Sequence, residues 1–176
     1  MSSNPSAPPF RRLVKFVTRE GDSRPGQVLL GEPVDPEIDV GQALAEGKEV
    51  RVNVLHGLDV LGKIEGPTGD QATIERLCPL FASDPITGEG GSAPGTIRCI
   101  GLNYITHAKE VGLDIPTVPT LFMKPETALS YHGDPIVVPK SFVNDDAADY
   151  EAEVAVILGK TCKNVSEQEA MDYVLG

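Results

Sequence analysis

Short apolar runs separated by glycine and proline make up most of the chain, a pattern typical of small strands joined by turns. Residues 11–18 predict a first strand, and residues 27–31 predict a second one after the turn at 20–26. These two strands are expected to form a hairpin. Residues 41–47 predict one short helical turn that ends at a glycine, and residues 50–54 predict a further strand. The first part of the chain is therefore predicted to be β-rich.

The second part of the chain mixes strand and helix patterns. Residues 96–101 predict a strand, and Asn103 is expected to be the N-cap of a helix that runs to about Val111 and stops at Gly112. Three further strands and a last helix, which begins with a Ser-x-x-Glu capping box, are predicted at residues 121–124, 135–139, 149–158 and 166–169 onward. This mixture predicts an α+β fold.

Composition divides the chain into segments. Residues 1–9 are rich in serine and proline and are expected to form a disordered tail. Residues 84–95 are rich in glycine, serine and proline, which indicates a linker. The expected organisation is a small β-rich N-terminal domain over residues 10–83 and a second domain over residues 96–176.

The predicted strand at 149–158 carries two carboxylates on one face. Side chains alternate along a strand, so Glu151 and Glu153 share a face, with Cα atoms about 6.6 Å apart. The strand is apolar on both faces in its second half, as in a strand covered on two sides, and unpaired buried carboxylates are costly there. A hard divalent cation bound by both carboxylates removes that cost. The alternative is an edge strand whose glutamates face water.

Two other segments carry candidate chemistry. His107 and Glu110 are three residues apart and share a face of the predicted helix, so the carboxylate can orient the imidazole as a general base. A solvated surface pair is the alternative. Lys124 lies in an apolar run, where a cation suits an anionic substrate, or where it extends to water along its apolar stem. Asn103 and Tyr104 fit a helix cap and a core aromatic.

Charge and cysteine usage narrow the class of protein. The net charge of −11 disfavours nucleic acid and anionic membranes as partners. The three cysteines, Cys78, Cys99 and Cys162, are far apart in sequence, which indicates reduced intracellular thiols rather than a disulfide scaffold or zinc site. No secretory signal or run of about 20 apolar residues is present. The expected compartment is the cytoplasm, with the mitochondrial matrix as the alternative.

Four segments of the second half resemble the fumarylacetoacetate hydrolase family. The resemblance runs from Ile97 to Gly176 and is strongest at residues 101–110. The motifs that carry it, in family order, are GLNYITHAKE (101–110), LFMKP (121–125), PIVVP (135–139) and DYEAEV (149–154). Residues 11–79 resemble, with lower specificity, the small β-rich N-terminal domain of many members.

The resemblance implies a role for each candidate residue. Glu151 and Glu153 correspond to two of three carboxylate ligands of Mg²⁺, with Mn²⁺ or Ca²⁺ as alternatives. His107 and Glu110 correspond to the catalytic dyad of a mobile lid helix. Lys124 corresponds to a catalytic contact to the carboxylate or keto oxygen of the substrate. Asn103 and Tyr104, together with Lys124, are expected to line the substrate site.

The resemblance also implies a fold and an activity. The expected fold is the N-terminal domain followed by an incomplete mixed β-roll, because family members continue into a segment with a third ligand, an aspartate. The expected activity is metal-dependent cleavage of C–C bonds in small diketo or oxo acids, as in acylpyruvate hydrolysis or oxaloacetate decarboxylation. The alternative is a truncated, inactive fragment or a binding-only pseudo-enzyme. Full-length members are expected to be homodimers, which is not expected of this chain alone.

Overall fold

The computed structural model describes residues 8–57, 59–62, 64–81, 95–143 and 148–176. Six strands and two short α-helices form its regular structure, in the order β1 (Val14–Thr18), β2 (Val28–Pro33), α1 (Val40–Ala45), β3 (Arg51–His56), β4 (Gly66–Cys78), β5 (Thr96–Gly101), α2 (Ile105–Glu110) and β6 (Thr120–Pro125). Two 3₁₀ helices follow, at Glu126–Ala128 and Ala170–Tyr173. Sheet with a few helices agrees with the α+β class.

Strands β1 to β4 form a closed barrel in which every neighbouring pair is antiparallel. The pairing of β1 with β2 aligns Phe16 with Leu29 and Val14 with Gly31, which confirms the predicted hairpin. Strand β4 closes the barrel by pairing with both β3 and β1. Closure leaves no free edge among these four strands, and free edges are where unwanted strand pairing begins.

The barrel interior is filled by apolar side chains from all four strands. Phe16 and Val52 are fully buried, and Val40 and Ala43 of α1 pack on the same cluster. Gly31 makes this packing possible, since a Cβ there would lie 3.1 Å from each of Phe16 Cε1, Val52 Cβ and the carbonyl oxygen of Asn53. The glycine therefore provides the space that the Phe16 ring occupies.

Helix α1 has defined ends. The Asp39 carboxylate accepts a hydrogen bond from the backbone N–H of Gln42 at 2.9 Å, as expected of an N-cap. Gly47, with φ of +72°, follows the helix in the left-handed conformation that ends many helices. The predicted helical turn at 41–47 and the predicted strand at 50–54 are thus confirmed.

The second part of the chain is built around a two-stranded antiparallel sheet. Strands β5 and β6 pair along their whole length, from Thr96 opposite Pro125 to Gly101 opposite Thr120. This confirms the strands predicted at 96–101 and 121–124. Within the five described ranges, no helix is both long enough and apolar enough to cross a bilayer.

The predicted strands at 135–139 and 149–158 are wrong. Neither segment forms a ladder, and the side chains of Val137 and Tyr150 are 86% and 85% exposed. A strand exists through pairing with a neighbour, and among the described residues segment 149–158 is paired only through the isolated bridge of Leu158 with Val174. The apolar pattern alone therefore does not make these segments strands, because neither finds a partner strand among the described residues.

The predicted last helix is also wrong in type. Ser166 Oγ donates to Glu169 Oε2 at 2.6 Å, and the helix that follows is a 3₁₀ helix. It is short because Val174 must extend to meet Leu158, and the backbone N–H of Leu175 then donates to the carbonyl of Ile157 at 2.7 Å. The bridge prevents the helix from continuing.

The domain boundaries stay predictions. The barrel lies within the predicted first domain, and β5 begins at the predicted start of the second. Most of the predicted tail (1–9) and all but the last residue of the predicted linker (84–95) lie outside the described residues.

Candidate functional site

The turn between β5 and α2 fixes where the candidate dyad lies. Leu102 has φ of +53°, a left-handed conformation that is uncommon for a residue other than glycine. Tyr104 then begins the helix, because its carbonyl accepts the backbone N–H of Ala108 at 3.0 Å. Ala108, in the middle of this short helix, is fully buried. Strained backbone of this kind occurs often at functional sites.

Asn103 does not cap the helix, contrary to prediction. The N-cap is Tyr104, and its side chain makes no capping hydrogen bond to the helix. The left-handed turn at Leu102 delays the helical conformation by one residue, so Asn103 precedes the cap position and its side chain stays exposed. The predicted end is confirmed, because Gly112 follows the helix with φ of +68°.

Helix α2 brings His107 and Glu110 together on an accessible surface. The Nδ1 atom of His107 lies 3.5 Å from Oε2 of Glu110. The side chains are 44% and 78% exposed, so a surface pair of this kind adds little to stability. Its value lies in orientation: a carboxylate at Nδ1 leaves Nε2 free to accept a proton from water or substrate. Long dyad distances of this kind often shorten when substrate binds.

The side chain of Tyr104 connects this helix to the segment that carries the paired glutamates. Its hydroxyl oxygen accepts a hydrogen bond from the backbone N–H of Val154 at 3.2 Å. The two residues are 50 positions apart in sequence. Because this amide belongs to the peptide group that joins Glu153 to Val154, the hydrogen bond places Glu153 beside the start of α2.

Glu151 and Glu153 are both exposed and lie in a segment without regular secondary structure. Across the described part of the chain, no three His, Cys, Asp or Glu side chains are grouped so as to hold a metal ion. The donor set nevertheless fits a hard cation in kind, since two carboxylates supply the oxygen ligands that Mg²⁺ and Ca²⁺ prefer. Two such residues make an incomplete ligand shell.

Lys124 lies farther from the dyad than the motif order suggests. It pairs with Ile97, at the end of the β5–β6 ladder opposite to the turn into α2. Lys124 is four positions from Thr120 in sequence, a distance of about 13 Å along the strand at ~3.3 Å per residue. Residues directly opposite in the ladder share a face, so Lys124 lies on the same face as Ile97, Cys99 and Phe122.

Among the predicted site residues, the structure places His107 beside Glu110. A separate hydrogen bond places Tyr104 beside the peptide group that follows Glu153, whereas Lys124 is at the far end of the sheet. Sequence reasoning missed the left-handed Leu102 and the bond from Tyr104 to Val154. Neither has a local signal: leucine does not favour positive φ, and the bond joins distant segments.

Comparisons with known proteins agree with the resemblance. Residues 96–176 match the family model described as Fumarylacetoacetate (FAA) hydrolase C-terminal. A caffeoylpyruvate hydrolase of Neonothopanus nambi is 35% identical over 178 residues, which is 98% of this chain and 56% of that protein. No solved structure matches the chain.

Two further relatives are named after other reactions. A 2,4-didehydro-3-deoxy-L-rhamnonate hydrolase of Sphingomonas is 39% identical over 131 residues, covering 68% of this chain and 45% of that protein. A mitochondrial oxaloacetate tautomerase of Bos taurus is 45% identical over 80 residues, covering 46% of this chain and 35% of that protein. The chain therefore spans about half or less of the length of these three relatives.

Proposed function

Because residues 96–176 belong to the fumarylacetoacetate hydrolase family, we propose that the protein containing them is an enzyme that acts on small oxo acids. The proposed reaction is hydrolysis of the C–C bond of an acylpyruvate or a similar diketo acid. Decarboxylation or tautomerisation of an oxo acid such as oxaloacetate uses the same enol chemistry and is the second reaction to be tested. The name of the relative from Neonothopanus nambi supports hydrolysis of an acylpyruvate, and that of the relative from Bos taurus supports tautomerisation of oxaloacetate.

One observation carries the proposal. The helix that presents His107 and Glu110 begins at Tyr104, and the hydroxyl of Tyr104 binds the peptide group next to Glu153. This hydrogen bond supports a site in which the proposed proton-transfer pair and the proposed cation ligands are neighbours, although 40 or more residues separate them in sequence. Catalysis of enolisation needs both functions: a group that transfers a proton, and positive charge near the carbonyl oxygens of the substrate.

The proposed reaction includes a divalent cation. The family generally depends on a divalent metal, and Glu151 and Glu153 are the residues proposed to hold Mg²⁺, with Mn²⁺ or Ca²⁺ as alternatives. When bound, such an ion polarises the carbonyl oxygens of a 1,3-dicarbonyl compound and favours the enolate form.

The side chains of this chain account for proton transfer and orientation. With Glu110 at Nδ1, the imidazole of His107 accepts a proton from water at Nε2, and the water oxygen forms a bond to the acyl carbonyl carbon of the substrate. The bond from that carbon to the methylene group then breaks, and its electron pair remains with the pyruvate enolate. His107 returns the proton to the methylene carbon, which gives pyruvate and a carboxylic acid.

Lys124 is proposed to bind the substrate carboxylate. An ammonium group suits that role as a point charge, and its position at the far end of the β5–β6 ladder requires a substrate that reaches along the sheet, or a closing movement of α2. The exposed Asn103 is proposed to contribute a polar contact at the entrance to the site.

The proposal is tested by incubating the protein with acetylpyruvate and with oxaloacetate, with Mg²⁺ or with a chelator. Pyruvate is measured by coupling to NADH oxidation, and tautomerisation by the decay of enol absorbance. We expect pyruvate from acetylpyruvate only with the metal, and a decrease of about 10²- to 10⁴-fold for His107→Ala, the usual contribution of a general base. Lys109→Ala, an exposed change on the same helix, serves as the matched control.

Two results would contradict the proposal. Equal turnover by wild type and His107→Ala would remove the dyad from the chemistry. Binding of the oxo acid without turnover of either substrate would instead support the alternative of a binding-only protein.

A further inference from the structure

The hydroxyl group of Tyr104 occupies a position that the proposed chemistry does not require. Proton transfer needs His107 and Glu110, and cation binding needs Glu151 and Glu153. The Tyr104 hydroxyl oxygen nevertheless accepts a hydrogen bond from the backbone N–H of Val154, 50 residues away in sequence, with 3.2 Å between nitrogen and oxygen. We propose that Tyr104 is a positioning residue, which fixes the carboxylate pair at the start of α2 through this one hydrogen bond.

The segment of the carboxylates needs such a constraint. Residues 148–157 form no ladder, and the side chain of Val154 is 77% exposed, so apolar packing does not hold this part of the segment. Two ligands that are two residues apart bind a cation together more tightly when the backbone between and beside them is already fixed, because less conformational entropy is then lost on binding.

The backbone of Tyr104 is fixed at the start of α2, and its side chain is 38% exposed. Its backbone carbonyl makes the first hydrogen bond of α2 with Ala108, and Ala108 is fully buried. The residue before Asn103, Leu102, is in a left-handed conformation with φ of +53° that directs the chain into the helix. A rigid aromatic side chain with two torsions then carries the hydroxyl to Val154 at small entropic cost.

The bond also couples the two halves of the site. A cation that orders Glu153 stabilises the contact of Val154 with Tyr104 and so the start of the helix that carries His107. By linkage, a contact that favours the ordered segment raises the affinity for the cation by the same factor. The inference rests on the proposed function for the identity of the ligand as a divalent cation.

The test compares wild type with Tyr104→Phe, which removes one oxygen atom and keeps the ring. Hydrogen exchange of the Val154 amide is followed by NMR, and Mn²⁺ affinity is measured by calorimetry on the full chain. We expect exchange of Val154 to be about two- to tenfold faster in the variant and the dissociation constant for Mn²⁺ to rise by a similar factor, as for loss of a single hydrogen bond. The melting temperature and the circular dichroism spectrum should stay unchanged.

Tyr150→Phe is the matched control. Tyr150 directly precedes Glu151, its side chain is 85% exposed, and its hydroxyl makes no hydrogen bond within the described part of the chain. Loss of this oxygen should change neither exchange nor affinity. An equal effect of both substitutions would show a general effect of tyrosine hydroxyls and would overturn the assignment.

The remaining outcomes also decide. Unchanged hydrogen exchange at Val154 in Tyr104→Phe would show that the hydrogen bond does not stabilise the segment around Val154. Faster exchange with unchanged Mn²⁺ affinity would show that the hydrogen bond does not position a cation ligand. If Tyr104→Phe does not fold, saturating Mn²⁺ must slow Val154 exchange in wild type, and an unchanged rate overturns the inference. Wild type that binds no Mn²⁺ refutes the metal in the proposed function, while the exchange comparison still decides whether Tyr104 holds Val154.

Discussion

The same substitution, glycine to alanine, should have opposite effects at two positions of the barrel region. At Gly31 the new Cβ would lie 3.1 Å from the Phe16 ring, from Val52 Cβ and from the carbonyl oxygen of Asn53. All three distances are tighter than ordinary van der Waals contact, and Phe16 and Val52 are fully buried. Overpacking of a close-packed core costs about 1–3 kcal/mol, and three simultaneous contacts place Gly31→Ala at about 2 kcal/mol or above.

Gly41 provides the control, because it lies inside α1 and its new Cβ would meet only Asp39 Oδ1, at 3.6 Å. Gly41 is in the first turn of α1, two residues after the N-cap Asp39, and alanine is favoured over glycine within a helix by up to about 0.5–1 kcal/mol. Urea unfolding followed by circular dichroism measures both, since a change of 2 kcal/mol shifts the midpoint by about 1 M at a slope of about 2 kcal/mol/M. We expect a lower midpoint for Gly31→Ala and a higher one for Gly41→Ala. Equal midpoints for wild type and Gly31→Ala would refute the packing of Phe16 against Gly31.

Two further predictions concern the helix cap and the carboxylates. Asp39→Ala removes the N-cap of α1 and should lower the free energy of unfolding by about 1 kcal/mol, seen as a lower urea midpoint; an unchanged midpoint would show that the cap does not stabilise α1. The double variant Glu151→Gln and Glu153→Gln should abolish stabilisation by Mg²⁺, which in wild type at ten times the dissociation constant is about 1.4 kcal/mol, or about 3–6 °C in melting temperature. Because both side chains are exposed, the variant without metal should differ from wild type by less than about 0.5 kcal/mol, and an equal metal response in both proteins would remove these glutamates from the site.

The elements that local sequence determines were predictable. The β1–β2 hairpin, α1 with its terminal glycine, and β5 followed by a helix all follow from side-chain periodicity and from glycine at the turns. Each depends on neighbours that are close in sequence. The closure of the barrel by β4 was not predictable, because it pairs β1 with a strand some 60 residues further along the chain. A periodic pattern in one strand does not identify the strand with which it pairs.

The misplaced elements fail for a related reason. The apolar alternation at 149–158 favours a strand, but among the described residues only the bridge of Leu158 with Val174 gives the segment a partner. Propensity without pairing does not make a strand. The predicted start of α2 was wrong by one residue because Leu102 adopts a positive φ, which leucine does not favour.

The contact between His107 and Glu110 was predictable from the sequence, whereas the position of Lys124 was not. The pairing of His107 with Glu110 follows from their spacing on a helix, and the observed separation of 3.5 Å agrees with it. The distance of Lys124 from the dyad depends on the register of β5 and β6, which fixes it opposite Ile97. Register is a property of two strands together, and the sequence of one strand does not contain it.

Glu151 and Glu153 are proposed to bind a divalent cation beside the helix that carries His107. Titration of Mn²⁺ into the ¹⁵N-labelled protein tests it directly, because the paramagnetic ion broadens the amide signals of nearby residues. We expect the signals of Glu151 and Glu153 to disappear first and the signal of His107 to follow. Broadening that begins instead at the surface carboxylates Asp35 and Glu37, with Glu151 and Glu153 unaffected, would contradict it.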